Sequence, residues 1–406
     1  MQGNIILRAP VYSQSGYGAH SKDIAMSLWD SQKFNMSIVP TGWGGSSTSL
    51  EGMTLREKEA MDFMVNNRLH QNSPFIFVHV GIPNEFQKLG TLNVGITAGL
   101  EADKIRKEWV EGCNLMDLVI VPSSVIKETF INSGVTTRVE VVEEGVDISI
   151  FNNEKISLKK DILENVDTPI NLLSIGQWLG GGVGEDRKGI GLLIDLFMKT
   201  FEHNKQVGLI LKTYLNNNSS MDYTYLLDRL REMKRGRKYP TVHLIHGNLS
   251  NDELVSLYKH PKVAGFVSLT SGEGWGRGVA ESISCDLPVL VTGWGGHMHY
   301  VDTQYVTTVD FSLKQVSRAS LMTKFFTPDM VWAYPEEEDS KRKMKYMVDN
   351  HILNKKKAVE YGEKFRKMYS KEIVYKKLIV LFEELSHNLE IIQLKKNNQS
   401  ILIDSM

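Results

Sequence analysis

The sequence predicts an α/β chain in two halves, each folded around its own parallel sheet. Three stretches carry that prediction. Residues 5–29, 170–201 and 263–292 each read as a short apolar strand, a glycine-rich turn and a helix, and the third runs on into a further strand. The length points the same way, because 406 residues exceed what one core usually supports. A polar, lysine-rich segment at 152–167 is a suitable connection between the halves.

In the first half, 5–7 reads as a strand, and Gly16 and Gly18 lie in the turn before a helix at 19–29. Such a turn belongs at the carboxyl edge of a parallel sheet, where ligands bind. His20 opens the helix and reads either as a ligand contact or as an ordinary first-turn residue. A strand at 34–39 leads into 41–45, expected as a mobile loop with one exposed aromatic, Trp43. A helix at 54–69 and a strand at 75–80 follow, with His79 expected in the core. The strand at 93–97 ends in Thr97-Ala98-Gly99-Leu100-Glu101. Glu101 is either a functional carboxylate at a strand's carboxyl end or an acid favoured by a helix dipole. A helix at 109–116, a strand at 118–121, a helix at 125–132 capped by Ser123 or Ser124, and a strand at 139–142 complete this half.

The second half opens with a strand at 170–175 and a long turn at 176–184, expected to be flexible. Arg187 and Lys188 then precede an apolar helix at 190–201. A cation pair there opposes the dipole preference for anions at a helix start. It suits a site where charge builds on a leaving diphosphate. The strand at 207–211 ends at Lys212, a further cation for the phosphate side. After a helix at 222–234, the cluster Arg229, Arg231, Lys234, Arg235, Arg237 and Lys238 reads as a solvated face, with polyanion binding as the alternative. A strand at 242–245 and a helix at 250–259 with a Ser250/Glu253 capping box lead to the third strand–turn–helix stretch. Its turn is Gly272-Glu273-Gly274-Trp275-Gly276. Glycine lets backbone approach a ligand, and the amides of the helix start suit phosphate. Glu273 and Glu281 would repel phosphate; ionised carboxylates accept hydrogen bonds from sugar hydroxyls instead. Amides for phosphates and carboxylates for hydroxyls together suit a nucleotide-sugar. The second glycine loop, 293–296, should border the same pocket. Residues 341–385 read as mostly helical and 388–406 as a loose tail.

The run Glu273, seven residues, Glu281, Cys285, Pro288 and the strand 289–291 resembles the signature of retaining glycosyltransferases of the GT-B fold, family 4. Gly145-Val146-Asp147 with Phe151 is similar to that family's interdomain motif, and Lys188-Gly189 to its phosphate-binding lysine. The resemblance implies two Rossmann-like α/β domains facing each other across a deep cleft: an acceptor-side domain at 1–155, a nucleotide-sugar domain at 156–358, a helix at 359–386 crossing back to the first domain, and a tail at 387–406. It implies Glu273 on the donor sugar and Glu281 on the ribose. Arg187, Lys188 and the amides of Gly274, Trp275 and Gly276 would lie on the diphosphate, and Gly16 and Gly18 on the donor side. Two departures stand out. Gln177 occupies the usual place of the family arginine, which Arg187 would replace. Thr97 and Gly99 stand where many members carry a histidine, leaving Glu101 as the local substitute. His20 and Trp43 are candidates for the acceptor side.

The implied activity is transfer from a nucleoside diphosphate sugar, uridine being the commonest base, to a hydroxyl acceptor with retention. Retention in this family is attributed to same-face attack, assisted by the leaving phosphate. The acceptor is either a glycan or lipid, or a hydroxymethylated DNA base. The last follows from a further likeness to tailed-phage glycosyltransferases in Gly16-Tyr17-Gly18, His20, 97–101 and 109–117. A nucleotide-sugar epimerase or a non-catalytic nucleotide-sugar binder is the alternative. Neither glycine turn gives Gly-x-Gly-x-x-Gly, which argues against a dehydrogenase.

Composition sets the remaining bounds. A net charge of -1 gives no global pull toward nucleic acid or membrane. Only Cys113 and Cys285 occur, so no disulfide framework is expected, and a reducing cytoplasm is. No secretory leader or spanning segment is read. His297 and His299 lack a third ligand and no Asp-x-Asp motif occurs, so the expected enzyme needs no metal and no cofactor beyond its donor.

Overall fold

The computed structural model describes residues 3–69, 73–152, 161–215, 219–321 and 325–404, with side chains as far as Leu394. Residues 153–160, half of the expected connection at 152–167, lie outside the described residues. The elements in chain order are β1 (Gly3–Ala9), α1 (Gly16–Asp30), β2 (Phe34–Pro40), α2 (Leu55–Asn66), β3 (Ile76–Val80), β4 (Leu92–Ile96), α3 (Lys107–Asn114), β5 (Leu118–Val121), α4 (Ser124–Asn132), β6 (Val139–Val141) and α5 (Ile148–Phe151). They continue as β7 (Ile170–Gln177), α6 (Ile190–Thr200), β8 (Val207–Tyr214), α7 (Ser220–Lys234), β9 (Thr241–Ile245), α8 (Asn251–Lys259), β10 (Val263–Ser268), α9 (Arg277–Ser284) and β11 (Val289–Thr292). The last are β12 (Thr307–Val309), β13 (Phe311–Gln315), α10 (Arg318–Leu321), β14 (Val331–Pro335), α11 (Glu337–Asp349), α12 (His351–Tyr369) and α13 (Lys371–Asp404).

The chain divides into two compact units. Unit 1 holds Met1–Gly99, Arg106–Gly145 and Lys371–Met406; unit 2 holds Leu100–Ile105 and Val146–Ser370. Unit 1 is a six-stranded parallel sheet in the order β2-β1-β3-β4-β5-β6. Among its inner strands, β3 and β5 are buried at every residue, as strands covered by helices on both faces require. Burial pushes His79, in β3, down to about 4, so it is a neutral core histidine as expected. The carboxyl-terminal helix belongs to this unit. Lys371 of α13 pairs with buried Asp23 of α1 at 2.6 Å, Lys377 pairs with buried Glu143 at 2.8 Å, and Phe382 packs edge-on against Phe34.

Unit 2 has a second six-stranded parallel sheet, β12-β11-β10-β7-β8-β9. Alternation along β8 feeds two cores. Leu209 and Leu211 join Leu193, Phe197, Leu226 and Met344, under α6, α7 and α11. Ile210 joins Leu257, Tyr258, Phe266, Ile283 and Phe365, under α8, α9 and α12. The capping box of α8 is formed by Ser250 and Glu253.

Three stretches depart from expectation. The strands β7 and β8 run on to Gln177 and Tyr214, so Lys212 stands inside β8 and not at its end. The antiparallel hairpin of β13 and β14 had no sequence reading. The helical region beyond 341 is three helices, and the backbone of α13 continues through the stretch read as a tail.

Candidate active site

In unit 2 the turn after β7 is bound at both ends. Trp178 is fully buried and its amide donates to the Tyr214 carbonyl at 3.0 Å. Buried Asp186 accepts the amides of Ile190 and Gly191 at 3.2 and 3.1 Å, satisfying the first donors of α6. Gly189 caps that helix at φ 65, and a Cβ there would lie 2.0 Å from the Leu269 carbonyl oxygen. Glycine is therefore required, and the turn is pressed against the end of β10. The expected flexible turn is in fact a tied one.

The turn after β10 meets it through the backbone. The Ser271 amide donates to the Arg187 carbonyl at 2.7 Å, and Thr270 Oγ1 bonds the Gly272 carbonyl at 2.9 Å. These bonds bring four charged side chains together. Lys188 Nζ reaches both oxygens of Glu273, at 2.7 and 2.8 Å. Arg187 Nη1 lies 2.9 Å from Glu101 Oε1, 2.9 Å from the Gly272 carbonyl and 4.0 Å from Glu273 Oε2. Burial pushes the Glu273 carboxyl up, but the charges of Lys188 and Arg187 outweigh it and hold the group below its ordinary value. The pair is therefore intact at neutral pH, and the stability it contributes is lost only as pH falls through that lowered value.

Glu101 owes its place to the strap 100–105. Asp103 donates its amide to the Val331 carbonyl at 3.0 Å and accepts the Val331 amide at 2.7 Å, while Lys104 pairs with Asp329 at 2.8 Å. The Ala333 amide donates to the Ser271 carbonyl at 3.2 Å. The hairpin of β13 and β14 thus braces both the strap and the turn after β10.

Helix α9 starts at Gly276, φ 86, where Tyr300 Oη donates within 3.0 Å of the Trp275 and Gly276 carbonyls. The 293–296 loop lies against this turn: the Gly296 amide donates to the Glu273 carbonyl at 2.6 Å. His297 is fully buried and donates from Nε2 to the Thr292 carbonyl at 2.7 Å; burial pushes its pKa down, so it is neutral. Trp275 is buried and packed on Tyr300 and Tyr369. On α9, Glu281 Oε2 accepts from the buried Tyr258 hydroxyl at 3.1 Å. Lys212 is half-buried on β8 and, among the described residues, pairs with no carboxylate; burial pushes its ammonium pKa down.

The structure thus brings Glu101, Arg187, Lys188, Glu273, Gly274 and Gly276 into one cluster, with Glu281 on the helix behind. Gly16, Gly18, His20 and Trp43 lie in unit 1. A Cβ on Gly18 would fall 1.9 Å from the Ser13 carbonyl oxygen, so this glycine is fixed by chain packing. His20 is buried, with Nδ1 3.3 Å from the Tyr375 hydroxyl. Trp43 is half-buried and stacks on Tyr17 at 3.7 Å, correcting the expectation of an exposed aromatic. The Tyr17 hydroxyl lies 3.1 Å from Thr97 Oγ1 and accepts the Ala98 amide at 2.9 Å. Asp186, Tyr258, Tyr300 and the hairpin had no sequence signal as parts of a site. Among the described residues, no group of three or more His, Cys, Asp and Glu is placed to hold a metal, and no helix is long and apolar enough to cross a membrane.

Residues 182–312 match the family model described as glycosyl transferases group 1. No curated protein sequence matches the chain at a significant level. Among solved structures it is similar to a glycosyltransferase from Rickettsia africae, with TM-score 0.64 and 13% identity over 94% of this chain and 98% of that one. It is also similar to a sucrose-phosphate synthase from Thermosynechococcus elongatus, with TM-score 0.62 and 12% identity over 94% and 99%. HepE of Anabaena, solved with UDP-glucose, gives TM-score 0.60 and 14% identity over 94% and 99%. At these identities the likeness establishes the fold, the GT-B type of α/β architecture.

Proposed function

We propose that this chain is a retaining glycosyltransferase that moves a sugar from a nucleoside diphosphate sugar to an acceptor hydroxyl. One observation supports the reading most: Arg187, Lys188 and Glu273 meet at a glycine turn that opens a helix. The group 1 match spans these residues. HepE was solved with UDP-glucose, so uridine diphosphate sugars are the first donors to test.

In this reading Arg187, Lys188 and the first amides of α9 take up the charge that grows on the diphosphate as the glycosidic bond breaks. Lys212 adds a cation on the phosphate side. Glu273 accepts hydrogen bonds from the sugar, and Glu281, oriented by Tyr258, accepts from the ribose diol. The departing phosphate oxygen takes the proton of the acceptor hydroxyl, which attacks on the same face. No protein nucleophile and no metal ion enters this scheme. The acceptor is a glycan or lipid hydroxyl, with a hydroxymethylated base in duplex DNA as the other class. Salt-sensitive binding to duplex DNA selects the second, and no binding at low salt removes it.

The test is incubation with a panel of nucleotide-sugars and no acceptor. Slow release of nucleoside diphosphate with free sugar is expected. An isomerised nucleotide-sugar would indicate an epimerase instead, and no reaction with tight binding a non-catalytic binder. Glu281→Ala is expected to weaken donor binding by about 10- to 100-fold, the worth of hydrogen bonds to a charged group, with a smaller effect on kcat. Glu101→Gln acts in the opposite direction. It removes a competitor for the Arg187 guanidinium, so calorimetry should show nucleoside diphosphate binding tightened by about two- to fivefold, the scale of a partly exposed ion pair.

A further inference from the structure

The basic cluster on α7 is not uniform. Arg231 is exposed and pairs with Asp228 on its own helix. Arg229 instead turns toward the turn after β7. Its Nη1 donates to the Leu179 carbonyl at 2.9 Å and its Nη2 to the Gly181 carbonyl at 2.6 Å. Its guanidinium carbon stands 4.3 Å from the centre of the Trp178 ring, an indole buried to 0% exposure. Burial of the guanidinium is opposed by the charge of buried Asp186, which itself caps α6.

Leu179 is half-buried and a Cβ on Gly181 would meet Glu185 and Ala319 at 3.0 and 3.1 Å, and Arg229 supplies the hydrogen bonds to both carbonyls. Gly181 sits at φ 114 and Gly180 has open space where a Cβ would be. The following residues are tied through Glu185, whose Oε2 accepts the Gly182 amide at 2.6 Å and whose carbonyl accepts from Ser317 Oγ at 2.7 Å. Arg229 therefore holds the near half of the turn, and Glu185 and Asp186 hold the far half. The turn delivers Arg187 and Lys188.

We infer that Arg229 is a positioning residue for the diphosphate-binding cations: by bonding two successive parts of the 178–186 turn while stacked on Trp178, it sets where Arg187 and Lys188 stand. The inference rests on the donor-side reading of those two cations. A planar fork is needed, because one ammonium on a lysine stem cannot span both carbonyls in fixed geometry. A loosened turn misplaces the cations relative to the breaking bond, and a displacement on the order of 1 Å can cost about a hundredfold in rate.

The experiment compares the full chain with Arg229→Lys and Arg229→Ala. Donor turnover is read as nucleoside diphosphate release from UDP-glucose and other nucleotide-sugars, and hydrogen exchange is read at residues 179–188. Arg229→Lys is expected to keep the melting temperature, lower kcat about 10- to 100-fold with KM changed less, and speed exchange at 179–188 and not in the strands of unit 2. Millimolar guanidinium should restore part of the kcat of Arg229→Ala, since it can enter the space over Trp178, and should do nothing for Lys188→Met. Wild-type kcat in Arg229→Lys, or unchanged exchange at 179–188, overturns the inference. Should Arg229→Ala not fold, the lysine variant decides alone. Should the wild-type chain release no nucleoside diphosphate from any donor, the transferase reading fails, while the exchange comparison still decides whether Arg229 sets the turn.

Discussion

Lys188→Met is expected to cut donor turnover by about 10²- to 10³-fold, the range seen when one preorganised electrostatic contact to developing charge is removed. Two losses combine. On the proposed reading, the variant loses a cation at the place where diphosphate charge would grow. It also strips Glu273 of the ammonium that bonds both of its oxygens at 2.7 and 2.8 Å, leaving Arg187, at 4.0 Å, as the nearest remaining cation. Burial then weighs more heavily against the charge, and the Glu273 carboxyl should rise from its lowered value. A pH profile separates the two effects. In the variant, residual kcat should fall as pH drops through a carboxyl pKa higher than the wild type's, because a protonated Glu273 accepts hydrogen bonds from a sugar less well. Breaking a buried ion pair costs about 3–5 kcal/mol; the 13% exposure of the Glu273 side chain places the loss of stability toward the lower end. Unchanged turnover in this variant would remove the central element of the site.

Gly296→Ala should be nearly as severe, through shape and not charge. A Cβ at 296 would lie 1.8 Å from the Gly274 carbonyl oxygen and 2.8 Å from that of Glu273. Both obstacles are backbone, so no side chain can swing aside. The bond from the Gly296 amide to the Glu273 carbonyl, 2.6 Å long, must break as the two loops part. Overpacking of this kind costs about 1–3 kcal/mol. The functional cost is larger, because the shifted loop carries Glu273 and the amides of 274–276. Nucleoside diphosphate affinity by calorimetry is expected to fall about 10-fold or more, with a lowered melting temperature. Gly45→Ala is the control: its Cβ would meet nothing within 4 Å, and neither quantity should move.

Where the sequence was legible, local chemistry was enough. Alternating apolar runs and glycine turns mark the strands and helices of both units, because burial on two sheet faces leaves a readable trace. Lys188 and Glu273 could be singled out because each sits beside a glycine turn at a helix start. Their mutual bond joins residues 85 apart in sequence, and only the folded chain supplies it. Arg229 shows the limit. Around it Arg231, Arg235 and Lys238 are exposed, and nothing in the sequence separates them from the one that turns inward toward Trp178. Glu101 shows it again: its partner is chosen by the hydrogen bonds between Asp103 and Val331, 228 residues apart. The hairpin of β13 and β14 was missed because β13, Phe-Ser-Leu-Lys-Gln, is largely polar and exposed and leaves no apolar run to read. Trp43 was misread for a related reason, since its cover, Tyr17, comes from another turn.

That hairpin links two supports through a single strand. Val331 and Ala333 sit two residues apart on β14, so both point their amides away from β13, one to Asp103 and the other to Ser271. Strand periodicity of two makes these bonds inseparable: deleting one residue within β14 would reverse its pattern and release the strap and the turn after β10 at a stroke. Residues 316–321, outside the ladder, are held as well: Ser317 Oγ donates to the Glu185 carbonyl at 2.7 Å, so the chain beyond β13 is tied to the turn after β7.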